Sequence, residues 1–274
     1  MGDITNLAGI IRVHGEALGD KTALILGDRE QTWAELRDRS ARVAQALLAA
    51  GVGEQERVAF LDKNGLEHFE VMFGAAMINA VCVDVNWRLA APEVEFVVNG
   101  TEAKVLVVGP DFVPILDAIA DNLTHVTTIV VIGGHERFRD YEEWVGAFDA
   151  VDPGTDSALD DVAFQLYSSG TTGRPKGVMI TNANFFSLLP MAKELWELTP
   201  DTVSLVAMPL FHIAGGGWAV AGMYEGCTSV LFRDLDSVAL VATIAERRIT
   251  HALLVPVALQ FVLMVPGVED ADFS

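Results

Sequence analysis

Residues 167–177 read Tyr167-Ser168-Ser169-Gly170-Thr171-Thr172-Gly173-Arg174-Pro175-Lys176-Gly177. Three glycines free the backbone to turn its N–H groups inward, four Ser/Thr hydroxyls add donors, and Lys176 adds positive charge; together these make a cradle for phosphate. The lysine stands out because the chain has only four others, Lys21, Lys63, Lys104 and Lys193. The segment is not a Walker A loop, which needs a Gly-Lys-Ser/Thr end opening into a helix, and it lacks the GxGxxG dinucleotide fingerprint. On residue types alone the alternative is a polar hairpin joining two strands. A second candidate, His212 in Pro209-Leu210-Phe211-His212, follows the loop by about thirty residues. A lone histidine at the end of an apolar strand is either a hydrogen-bonded core residue or a group that meets substrate. His251 has no comparable context and reads as structural.

These residues need rigid elements to hold them. Thr32-Trp33-Ala34-Glu35 is a capping box, followed by Leu36, Val43 and Leu47 at helical spacing and by Gly51 as a stop. Residues 58–61 form a short apolar strand. Residues 66–79 read as a helix with Phe69, Met72, Phe73 and Ala76 on one face, and 80–85 as a strand. Pro92 opens a further helix, where its missing N–H costs nothing. Strands are expected at 104–108 and 127–132, with helical turns around 115–119 and from Asp140. Residues 152–161, with Pro153, Gly154 and four aspartates, form a loop. That loop is the expected boundary between a first α/β sub-region, 1–160, and a second, 161–274, that carries the phosphate loop. Beyond it come strands at 162–167, 178–180, 203–208, 228–232 and 250–255. Helices are expected from Asn182, after a turn at 209–217, at 237–248 with Asp236 as N-cap, and at 256–265. Alternation of apolar strands with amphipathic helices predicts an α/β fold: doubly wound, mostly parallel sheets with flanking helices.

Composition narrows the function. Apolar residues make up 51%, enough for a sizeable core, and 18 basic against 38 acidic residues give a net charge of −20. Such a field repels nucleic acid and anionic headgroups, so no nucleic-acid partner is expected, although a local basic pocket for phosphate is compatible with it. Cys82 and Cys227 lie in apolar runs, which fits a reducing compartment better than a disulfide framework. No metal-ligand spacing stands out among the cysteines and the six histidines. Residues 1–18 carry Asp3, Arg12 and Glu16 and lack the apolar core of a signal peptide. The uncharged runs 202–224 and 252–268 are interrupted by Pro209, Pro256 and Pro266, so they read as buried core and no transmembrane span is expected. The location expected is cytoplasmic, with a peripheral membrane position as the alternative.

The 167–177 segment resembles the phosphate-binding loop of the adenylate-forming superfamily: acyl-CoA synthetases, aryl-CoA ligases, luciferases and amino-acid adenylation domains. Every defined position of Tyr-[Thr/Ser]-Ser-Gly-Thr-Thr-Gly-x-Pro-Lys-Gly is met. Residues 53–59 resemble that family's Gly-Asp-Arg-Val-Ala segment. Residues 83–89 with Glu93 resemble its Pro-x-Asn-x-Arg-Leu…Glu segment, with Asp84 in place of the proline. Pro209-Leu210-Phe211-His212 resembles its gate motif. The likeness runs from about Thr32 to Phe273 and implies an AMP-forming acyl-CoA synthetase, a fatty-acid–CoA ligase-like enzyme using ATP, Mg²⁺ and CoA. Carried over, Ser168, Ser169, Gly170, Thr171, Thr172, Gly173 and Lys176 hold ATP phosphates, and Thr171 or Thr172 is the candidate contact for Mg²⁺. Lys176 and His212 are the implied catalytic residues. Phe211, His212, Ala214, Gly215 and Gly216 are the implied acyl-binding residues.

The amino-acid-activating branch carries a Phe-Asp segment after the gate, where the aspartate pairs with an ammonium group. Here Phe211-His212-Ile213-Ala214 follows, with no acid until Glu225, which favours a simple carboxylic acid, fatty or aromatic. Ala214, Gly215, Gly216 and Gly217 either leave room for an acyl group or allow close helix packing. The family's later segments, which supply its main Mg²⁺-binding Glu, a ribose-binding Asp and a C-terminal Lys, are not found up to Ser274. The expectation is therefore an incomplete N-terminal domain of the adenylate-forming fold, without the C-terminal lid, inactive alone and prone to self-association through an exposed sheet edge. The alternative is a non-catalytic remnant or an ATP- or acyl-binding partner of a complementing chain.

Overall fold

Thr32 accepts a hydrogen bond from the Glu35 backbone N–H (3.2 Å), and the Glu35 carboxylate accepts from the Thr32 N–H (2.8 Å). The capping box thus starts its helix where the sequence places it. Gly51, at φ +80°, follows the helix end in the left-handed region that glycine adopts without strain. The molecule is described by a computed structural model over residues 4–168 and 175–273.

Among the described residues, twelve strands form two sheets. They are β1 (Thr22–Leu26), β2 (Arg29–Thr32), β3 (Arg57–Leu61), β4 (Val81–Asp84), β5 (Val105–Val108), β6 (Thr128–Val131), β7 (Arg139–Asp140), β8 (Val162–Ser168), β9 (Lys176–Thr181), β10 (Val203–Val206), β11 (Thr228–Leu231) and β12 (His251–Ala252). The α-helices are α1 (Leu7–Ala17), α2 (Trp33–Ala49), α3 (Leu66–Met77), α4 (Ala91–Gly100), α5 (Val113–Ile119), α6 (Tyr141–Gly146), α7 (Asn182–Phe186), α8 (Ala192–Trp196), α9 (Ile213–Tyr224), α10 (Ser237–Glu246) and α11 (Pro256–Leu263). One sheet runs β7-β6-β5-β3-β4-β8-β9, parallel except for the β8–β9 pair; the other runs β12-β10-β11-β1-β2, parallel except for β1–β2. Each sheet takes strands from both sides of the 152–161 loop: β1 and β2 join the later strands, and β8 and β9 join the earlier ones. Arg12 on α1 holds that loop through the Asp152 carboxylate (2.7 Å) and the Thr155 carbonyl (3.2 Å).

The main core lies between the sheets. Helix α3 contacts β1 of one sheet and β3 and β4 of the other. It is therefore buried almost all round, including Glu67, His68 and Glu70. The single apolar face expected there is corrected: Phe69, Met72 and Phe73 are buried, but so are Glu67, His68 and Glu70 on the other sides, and Ala76 is only half-buried. Each of these side chains has a partner: Arg29 on Glu67 (2.6 Å), Arg39 on Glu70 (2.9 Å), Asp84 on His68 (2.8 Å). Helices α4 and α5 pack on the other face of the seven-stranded sheet, and α10 and α11 on the other face of the five-stranded one.

Two further expectations change. The run at 250–255 pairs over only His251–Ala252, because among the described residues β12 is an edge strand with β10 as its sole neighbour. The glycines at 215–217 lie within α9, not in the preceding turn. No helix among the described residues is long and apolar enough to cross a membrane. Cys82 and Cys227 are free and buried.

Candidate active site

Strands β8 and β9 pair antiparallel in a register that sets Ser168 opposite Lys176 and Tyr167 opposite Gly177. The Ser168 hydroxyl donates to the Lys176 carbonyl at 3.5 Å. Paired strands thus bring the two ends of the candidate loop, Ser168 and Lys176, together. Ser168 and Lys176 are both exposed at its mouth. Ser169, Gly170, Thr171, Thr172 and Gly173 lie outside the described residues.

The turn after β10 carries Phe211 and His212. Asn64, buried in the loop before α3, fixes its backbone. Its amide donates to the carbonyls of Val206 (3.5 Å) and Met208 (3.1 Å), and its oxygen accepts from the Leu210 N–H (3.0 Å). Asn64 was not singled out from the sequence; in Lys63-Asn64-Gly65 it reads as an ordinary turn residue. Helix α9 then begins with His212 as N-cap, in extended conformation. A Cβ on Gly215 would fall 2.2 Å from the Pro209 carbonyl oxygen, and one on Gly216 2.7 Å from that of Leu210. The glycines let the helix close onto its own entry turn.

Phe211 is buried, with its ring 4.5 Å from the His212 ring and edge-on to Trp87 at 5.9 Å. The Arg88 guanidinium lies over Trp87 (4.8 Å) and Phe211 (5.8 Å) and has no carboxylate within ion-pair range among the described residues. His212 is held below the ordinary imidazole value of 6.5, first by partial burial and then by the charge of Arg88. It is thus neutral at pH 7, with a lone pair free to accept a hydrogen bond. Replacing Arg88 by Gln removes the second cause and leaves the first. The His212 titration followed by NMR should shift upward and stay below 6.5. An unchanged midpoint would show that Arg88 does not act on this ring.

Two cavities meet at His212. One, of about 610 Å³, lies between the hairpin and the turn and is lined by Tyr167, Ser168, Pro175, Val178, Ile180, Phe211, His212 and Ile213, with Asn86, Leu89 and Glu93. The other, of about 530 Å³, is lined by Trp87, Arg88, Met208, His212, Ile213, Ala214, Arg233, Val257 and Phe261 among others. His212 and Ile213 line both. Ser168, Phe211 and His212 thus share one cavity, and Ala214 lines the second. Lys176 stands at the loop base, and Gly215 and Gly216 line neither cavity. Arg88 and Arg233 line this second cavity, Arg233 paired with Asp62, and Lys63, paired with Asp111 and Asp234, lies over the Trp87 ring at 5.7 Å.

Mostly parallel sheets flanked by helices are the architecture of the N-terminal domain of adenylate-forming enzymes. The chain belongs to the AMP-binding enzyme family, which it matches over residues 11–274. It is 34% identical over 268 residues to the fatty acid–[acyl-carrier-protein] ligase ScoC of Streptomyces coeruleorubidus, covering 95% of this chain and 50% of that protein. It is 32% identical over 256 residues to the indoleacetate–CoA ligase of Aromatoleum aromaticum, covering 93% and 50%. The inhibitor-bound N-terminal domain of FACL13 from Mycobacterium tuberculosis superposes with a TM-score of 0.90 at 29% identity, covering 97% of this chain and 67% of that one. The chain spans about half the length of the curated relatives it matches.

Proposed function

We propose that this chain carries the phosphate loop and carboxylate gate of an AMP-forming acid–thiol ligase, an acyl-CoA synthetase. One observation supports the reading most: His212 lines both the cavity at the phosphate-loop mouth and the apolar cavity beside Ala214. In this reading ATP phosphates lie against the hairpin, held by Ser168, Lys176 and the loop between them. The acyl group lies in the second cavity, against Met208, Ala214 and Phe261, and its carboxylate sits at the junction. Neutral His212 positions the carboxylate, and Phe211 fixes the imidazole. A carboxylate oxygen attacks the α-phosphorus, the bond to pyrophosphate breaks, and acyl-AMP forms. The thiol of CoA then attacks the acyl carbon and AMP leaves. Charge spread over the phosphates is the main demand, so Lys176 and the loop donors act by electrostatic stabilisation. No step is assigned to Mg²⁺, since Thr171 and Thr172 lie outside the described residues. The apolar second cavity, with no acid in the gate segment, suits a fatty or aromatic acid. Gly215 and Gly216 serve the gate by spacing its backbone.

ATP binding to the 274-residue chain, measured by calorimetry, tests the loop assignment. Lys176→Ala should weaken binding by roughly 10- to 150-fold, the equivalent of losing one charge-assisted contact of about 1.5–3 kcal/mol. Lys193→Ala, on the exposed side of α8, should change it less than about twofold. Equal effects at the two lysines, or no ATP binding by the unaltered chain, would overturn the assignment.

A further inference from the structure

Cys82 and Asp84 are two residues apart on β4, so both side chains leave the same face of the strand. Helix α3 lays His68 over that face. His68 Nε2 is 2.8 Å from Asp84 Oδ1, and Cys82 Sγ is 3.6 Å from the same oxygen. The three donor groups lie within 4.8 Å of one another. All are inside the protein, at 2%, 1% and 3% exposure for His68, Cys82 and Asp84. The rings of Phe60 and Phe69 stand edge-on to the imidazole at 5.2 and 5.1 Å. The sequence shows no ligand spacing here because two ligands sit on a strand and the third on the helix before it.

The hydrogen bonding of this cluster is incomplete. Asp84 Oδ2 and His68 Nδ1 have no partner. A buried carboxylate oxygen without a donor is costly, and a core with no other use for it would be better served by an apolar side chain. Asp84 also stands where the resembling segment has proline, so the group is not part of the shared gate or loop machinery. Imidazole, thiolate and carboxylate together are the donor set that zinc-class ions take. The unused Oδ2 lets Asp84 bind through both oxygens, which brings the donor atoms to four. The thiolate and carboxylate together match the two charges of the ion.

We propose that His68, Cys82 and Asp84 form a buried site for a zinc-class divalent transition-metal ion that ties α3 to β4. On binding, Cys82 gives its thiol proton to solvent, and the proton that His68 carries on Nε2 moves to Nδ1, which frees Nε2 for the ion. The ion enters as the chain folds and is structural, with no part in acyl transfer. The test is to refold the 274-residue chain with Co²⁺ and then to displace the cobalt with Zn²⁺. One equivalent of Co²⁺ should be retained, with a thiolate-to-metal charge-transfer band that Zn²⁺ abolishes and Cys82→Ala lacks. Asp84→Asn should lower the affinity by about tenfold or more. Zn²⁺ should raise the melting temperature and a chelator should reverse the rise. A folded wild-type chain that retains no cobalt, or that binds it without the thiolate band, overturns the proposal. The wild-type measurement decides even where a variant fails to fold, and neither outcome depends on ATP or acid binding.

Discussion

Gly215→Ala should destabilise the protein by about 3 kcal/mol, while Gly222→Ala in the same helix should be neutral or stabilise it by up to about 1 kcal/mol. Both glycines are in α9, and both replacements gain helix propensity. They differ in what a methyl group meets. At position 222 the nearest atoms are side-chain atoms of Cys227 and Ser204 at 3.7 Å, an ordinary contact. At position 215 they are the carbonyl oxygens of Pro209 at 2.2 Å and Met208 at 2.5 Å. Those are backbone atoms and cannot swing aside. The turn that bears them is fastened to Asn64 by the Met208 and Leu210 bonds. Either the helix withdraws or that network breaks, and each outcome moves His212. Overpacking of a flexible side chain costs less than this, which is why the figure sits at the upper end of the usual range. Urea unfolding of the two variants is the check. A difference between them below about 0.5 kcal/mol would mean that the turn is not clamped.

The same residues show what the sequence could and could not reveal. Local rules were legible: the Thr32–Glu35 capping box and the Asp236 N-cap, which accepts from Val238 and Ala239, sit where residue types place them. Pro92 likewise opens α4. The loop ends Ser168 and Lys176 were legible as motif and are opposed in the structure by strand pairing. The glycine run was misplaced because glycine reads as a helix breaker. Close approach of a helix to its own entry turn overrides that preference, and nothing in the local pattern announces it. The buried charges of α3 were hidden for a related reason. Glu70 looks solvated in sequence, yet it is enclosed by Arg39, Gln31 and Tyr141, the last of them 71 residues away. Strand exchange between the sheets was likewise invisible, since pairing partners such as β1 and β11 are set by tertiary packing rather than by pattern. Asn64 acts on a turn 146 residues distant, and its own neighbours carry no trace of that role.

Arg233→Ala should cost about 3 kcal/mol near neutral pH, and most of that loss should disappear on acidification. Asp62, just after β3, has a side chain only 2% exposed, and Arg233, just after β11, grips it with two bonds of 2.8 and 3.1 Å. The pair joins one sheet to the other across 171 residues of chain. Burial raises the Asp62 carboxyl above its ordinary value of 3.8, and the hydrogen bond and charge of Arg233 oppose that rise. Removing the arginine leaves burial, helped by the charge of Asp111, opposed only by the backbone hydrogen bond from Lys63. The cost is set at the low end for a broken buried pair because about a third of the Arg233 side chain already faces water. The sign of the pH dependence follows from proton binding. A carboxyl whose folded value is raised holds more protons in the native state than in the unfolded one, so its contribution falls as pH rises through the interval between the two values. In the variant that interval is wider and its upper edge higher. The deficit against wild type should therefore be largest above the raised value and shrink as pH falls through it. Unfolding free energies of both proteins at about pH 7 and about pH 5 measure this directly. Adding Asp62→Asn to Arg233→Ala removes the stranded charge at nearly constant volume and should recover stability at neutral pH. A deficit that is the same at both pH values, together with a double variant no more stable than Arg233→Ala, would show that Arg233 contributes by packing rather than by neutralising Asp62.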